Sequence, residues 1–61
     1  MPMVTVEQTA GRTLEQKRQL VKSITEAFVK AYGLQPDQVT IFLHELKKED
    51  MAKGGVLYSE R

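Results

Sequence analysis

The stretch TLEQKRQLVKSITEAFVKAYG, residues 13–33, decides how this chain folds. Leu20, Val21, Ile24, Ala27, Phe28 and Ala31 recur at spacings of one, three and four, which gathers them into one apolar stripe on a helix. Lys17, Arg18, Lys22, Ser23, Glu26 and Lys30 fall mostly on the other side. Both ends are marked. Thr13 and Gln16 form a Thr-x-x-Gln capping box, which satisfies two backbone donors that a helix start leaves unpaired. Gly33 stands where a left-handed C-terminal cap belongs, and Pro36 lies just beyond it. The spacing predicts a helix over Leu14–Tyr32.

Extended segments flank this helix. Met3–Thr9 alternates, with Val4 and Val6 on one face and Thr5 and Glu7 on the other, a period of two that predicts a strand. Gly11 ends it. Val39–Leu46 is rich in β-branched and aromatic residues, with Val39, Ile41 and Leu43 on one face and Thr40, Phe42, His44 and Leu46 on the other. A strand apolar on both faces needs cover on both. A long helix between two strands makes a right-handed crossover, so the strands run parallel. The fold class is therefore α+β, a single β-α-β unit forming one domain over residues 1–61. Two strands under one helix leave edges and a face open. Pairing with a second copy makes a four-stranded sheet with two helices on one face, and the opposite face packs against further dimers. In the tail, Gly54-Gly55 before Val56-Leu57-Tyr58 predicts a short C-terminal hairpin.

Composition points the same way. A chain of 61 residues buries only about 60% of its unfolded surface and draws no more than ~3–5 kcal/mol from its core. With no cysteine and one histidine, disulfides are excluded and the composition argues against a structural zinc site. Self-association is the support left. The cysteine-free composition fits a cytoplasmic location. Nine Lys/Arg against eight Asp/Glu give a net charge of +1, which argues against nucleic acid or an anionic membrane as partner. No apolar run approaches the ~18 residues of a membrane span.

Pro2 follows Met1 directly. A methionine before a small residue is normally trimmed, and trimming would leave a proline with a free secondary amine. Free α-amino groups titrate near ~7.7–8.0, and burial beside a cation lowers that value. A base titrating near neutrality suits general acid–base catalysis.

Met-Pro, then Gly11-Arg12-Thr13 with Glu15-Gln16-Lys17, an amphipathic helix, a second strand and Gly54-Gly55 together resemble the 4-oxalocrotonate tautomerase family over essentially the whole chain. The resemblance implies a cofactor-independent isomerase acting on a small-molecule carboxylate, of the kind met in aromatic degradation, assembled as a hexamer from three dimers. It implies that Pro2 is the general base and then acid, that Arg12 binds a substrate carboxylate, and that Met51 lines the pocket as a large apolar residue. No metal or other cofactor is implied. One position departs from the pattern: Thr40 stands where the best-studied members carry a second arginine. A hydroxyl offers one hydrogen bond and no charge, so Thr40 favours a substrate with one carboxylate over a dicarboxylate. Lys53, near the pocket-lining tail, is read as solvated rather than as the replacement cation.

Other readings compete. The same proline can assist hydration of a haloacrylate, with Glu45 as the nearby acid to activate water. The scaffold can also serve as a non-catalytic oligomeric binding module, which a retained Met1 would favour. His44 has no Ser, Cys or carboxylate at a motif spacing and is read as a structural or interface histidine rather than a base. Tyr32 and Tyr58 are read as packing residues.

Overall fold

Thr13 starts the helix as its chemistry dictates. The Thr13 hydroxyl accepts from the Gln16 N–H at 3.1 Å, and the Gln16 carboxamide oxygen accepts from the Thr13 N–H at 3.0 Å. In a computed structural model that describes residues 1–61, this box opens helix α1 (Leu14–Tyr32). Gly33 closes α1 at φ 68°, ψ 30°, donating to the Val29 carbonyl at 2.9 Å. Strand β1 (Met3–Thr9) precedes the helix and strand β2 (Thr40–Leu46) follows it.

The two strands run parallel, in a register that places Met3 beside Thr40, Val4 beside Ile41, Val6 beside Leu43 and Thr9 beside Leu46. The crossover expected from the sequence is present. β2 starts one residue later than the β-branched run suggests. The Val39 N–H closes a short 3-10 turn on the Pro36 carbonyl at 3.2 Å and is spent before the ladder begins. Two further 3-10 turns, Lys48–Asp50 and Tyr58–Glu60, bracket the hairpin of β3 (Ala52–Lys53) and β4 (Val56–Leu57). Gly54 at φ 64° and Gly55 at φ 82° make its two-residue turn, and positive φ at both central positions is what a tight hairpin of matching twist requires.

Burial is one-sided. Val4, Val6, Ile41 and Leu43 are half-buried toward α1, while Met3, Thr5, Glu7, Phe42 and His44 face outward. Phe28 and Tyr32 stack edge-to-face at 5.7 Å, yet Tyr32 is left 68% exposed. No residue of the chain is fully buried. The accessible surface is 4954 Å², against about 4000 Å² for a folded monomer of this mass. The radius of gyration, 14.9 Å, exceeds the roughly 10.5 Å of a compact chain this long. No helix is long and apolar enough to cross a membrane.

Candidate active site

The Pro2 carbonyl accepts from the Thr40 N–H at 3.1 Å, which ties the N-terminal segment to the start of β2. Pro2 and Thr40 are both half-buried. Thus Pro2 and Thr40 share one end of the parallel pair.

The other end is closed by the Ala10 N–H on the Leu46 carbonyl at 2.8 Å. Gly11, at φ 124°, then turns the chain toward α1, and Arg12 lies between that turn and the Thr13 cap. Arg12 lines a cleft of about 230 Å³ together with Gln8, Gln16, Lys17 and Leu20, and it has no ion-pair partner. Met51 belongs to this end too. It is half-buried, and its sulfur lies 3.9 Å from the Thr9 hydroxyl, the last residue of β1.

The four positions singled out in the sequence therefore divide into two pairs, Pro2 with Thr40 and Arg12 with Met51. The seven residues of β1 lie between them, a span of about 23 Å at the usual rise per strand residue. One arginine side chain cannot bridge that distance.

The remaining candidates are accounted for by contacts away from Pro2. Glu45 takes a charge-assisted hydrogen bond from Lys17, reaching from β2 to the helix. That bond is the main cause holding the Glu45 carboxyl below its ordinary value, with the Lys17 charge and the Gly11 backbone N–H acting in the same direction against partial desolvation. A carboxylate so engaged is poorly placed to activate water. His44 Nδ1 lies 3.6 Å from Glu7, its neighbour across the open sheet face. No group of three His, Cys, Asp or Glu side chains is gathered to hold a metal ion.

Two residues of the Arg12 cleft escape the periodicity argument. Lys17 falls among the solvated residues of the helical pattern but is half-buried against Glu45. Gln8 has the strand parity of Val4 and Val6, a polar residue on an apolar face, and that parity was the available signal.

A family model described as tautomerase enzyme matches residues 2–61. A 2-hydroxymuconate tautomerase of Bacillus subtilis (strain 168) is 40% identical over 60 residues, covering 98% of this chain and 97% of that protein. The crystal structure of a 4-oxalocrotonate tautomerase homologue superposes with a TM-score of 0.92 at 34% identity, covering 100% of this chain and 97% of the other. A structure from work on the 4-oxalocrotonate tautomerase isozymes of Methylibium petroleiphilum gives 0.84 at 40% identity, over 95% and 91% of the two chains.

Proposed function

This chain belongs to the tautomerase family, a family of isomerases, and we propose that it moves a proton on an enol or 2-hydroxydienoate carboxylate with the Pro2 amine as base and then acid. The observation that carries this reading is the seat of Pro2: half-buried and tied to the start of β2 through its own carbonyl, with its nitrogen left to the chain end. The amine takes the enol hydroxyl proton, the C–O bond becomes a carbonyl, and the displaced double-bond pair shifts outward along the conjugated system. The protonated amine then returns its proton to a more distant carbon, so nothing is gained or lost overall. The electron sink is the carbonyl–carboxylate end of the substrate, and no metal or cofactor takes part. While Met1 remains, the proline nitrogen is an amide without a basic lone pair. Met1 is 87% exposed and open to removal by an aminopeptidase.

Arg12 holds the carboxylate and Met51 helps exclude water, which favours the neutral form of the amine. Because Arg12 and Pro2 sit at opposite ends of β1, the working site is assembled from two copies. Surface in excess by about 950 Å² fits such an assembly, since a standard interface covers about 800 Å² per partner. The open sheet face carries Met3 and Phe42, 72% and 52% exposed. The assembly is a homo-oligomer, a hexamer of three dimers. Thr40 adds no charge beside Pro2, which suits a substrate with one carboxylate over a dicarboxylate such as 2-hydroxymuconate.

Intact mass spectrometry followed by assay tests the reading. The native protein should be lighter by one methionine and turn over phenylenolpyruvate better than 2-hydroxymuconate. Its kcat/KM should climb with pH as the amine loses its proton. Activity that survives acetylation of the Pro2 amine would overturn it.

A further inference from the structure

We propose that Gln8 is a substrate-positioning residue, whose side-chain amide turns into the Arg12 cleft and donates to the carboxylate that Arg12 binds. The proposal rests on the role given to Arg12 above.

Gln8 Nε2 is shut away from water and has no hydrogen-bond partner. A buried donor without an acceptor carries the full penalty of its lost hydration, so the amide loses no bond by swinging outward. The same side chain forms part of the wall of the Arg12 cleft.

Two other side chains of that cleft are already tied to the protein. The Gln16 oxygen accepts from the Thr13 N–H, and Lys17 donates to the Glu45 carboxylate. The Arg12 guanidinium makes no ion pair, and Gln8 Nε2 is the donor of the cleft that is both unpartnered and shut away from water. A cleft of about 230 Å³ has room for a carboxylate and the carbons behind it, given about 30 Å³ for a water molecule. Arg12 and Gln8 can each donate to one oxygen of a single carboxylate. Lys17 matters through Glu45: by pairing with that carboxylate it offsets a charge that would otherwise repel the incoming anion. Arg12 thus supplies charge and Gln8 a neutral second donor, where Thr40 at the distant end supplies no charge.

The test is Gln8→Leu in the full-length, processed protein. KM for phenylenolpyruvate should rise about tenfold with kcat within about twofold, the signature of lost binding rather than lost chemistry. The melting temperature should stay level or rise, because the variant removes an unpaired buried donor. A KM within twofold of the parent, or a fall in melting temperature and kcat together, would overturn the proposal, the second outcome marking Gln8 as merely structural. The wild-type protein provides an independent reading. Titration with phenylacetate, which has a carboxylate and no enol to isomerise, should shift the Gln8 side-chain NMR signals, and an unshifted amide would overturn the proposal even if the leucine variant failed to fold. If phenylacetate shifts the amide but phenylenolpyruvate is not turned over, the anion subsite stands and the tautomerase reaction proposed above falls.

Discussion

Subunit mixing decides whether the proposed site is built from two copies. Pro2→Leu replaces the small residue that directs methionine trimming, so Met1 stays attached and the base is lost. The Pro2 carbonyl that holds Thr40 is backbone and is left in place. Arg12→Gln removes the guanidinium at the far end of the strand, and loss of a charge-assisted bond to carboxylate lowers kcat/KM by on the order of a hundredfold. Each variant alone is then nearly inactive. With about 23 Å of β1 between the two positions, the proposed site would draw Pro2 from one copy and Arg12 from another. If equal amounts are unfolded together and refolded with random assortment, half the sites receive an intact Pro2 and half an intact Arg12. About a quarter of the sites receive both, and the mixture should recover about a quarter of wild-type activity in a closed symmetric oligomer. Mass spectrometry under native conditions confirms that mixed oligomers have formed. Mixed oligomers as inactive as their parents would refute the two-copy site, because a site within one chain gains nothing from exchange.

Three further outcomes follow from the same contacts. Thr13→Ala removes the hydroxyl that accepts from Gln16 and should lower stability by about 1 kcal/mol, read as a shifted urea midpoint at constant slope; an unchanged midpoint would count against the capping box. The Glu45 carboxyl is held below its ordinary value of 4.5 mainly by the hydrogen bond from Lys17. Its pairing therefore stabilises the fold in full above pH 4.5 and is lost as pH falls through the lower folded-state value. Lys17→Met should flatten that acid-side loss in a pH series of urea midpoints, and parallel curves for the two proteins would contradict the pair. Finally, unfolding should depend on concentration. If the native state is an assembled dimer or larger, tenfold dilution lowers apparent stability by at least about 1.4 kcal/mol, whereas an invariant midpoint would mean the single chain is stable alone.

Helix α1 was legible to the residue because each end carries its own chemistry: Thr13 with Gln16 at the start, Gly33 at the finish. β1 was equally legible from its alternation. The early boundary at Val39 failed for a local reason, since the Pro36 turn claims its N–H and no side-chain pattern announces a single backbone bond. The Lys17–Glu45 pair joins residues 28 positions apart on different elements, which no helical or strand period can reveal. Gln8 was visible as a parity violation, but its meaning depends on which groups of the cleft are already paired. The four candidate positions could be named from the resemblance. Their division into two ends needed only the length of β1 and the parallel register, both of which follow from the sequence pattern.

The open fold and the proposed two-copy site share one physical cause. A parallel pair under one helix leaves Met3 and Phe42 exposed on the outer face, and burying an apolar side chain of this kind contributes about 1.5–3 kcal/mol. On the proposed reading that gain would come only on association, and so would the meeting of a Pro2 with an Arg12. Activity and stability should therefore be lost together on dilution, in a chain that has no fully buried residue of its own. Gln8 breaks this coupling. Its amide is unpaired within one chain, so replacing it should leave assembly and stability intact while weakening the hold on the carboxylate. A protein that sheds affinity at Gln8 and keeps its oligomer would separate what the cleft does for substrate from what the interface does for the fold.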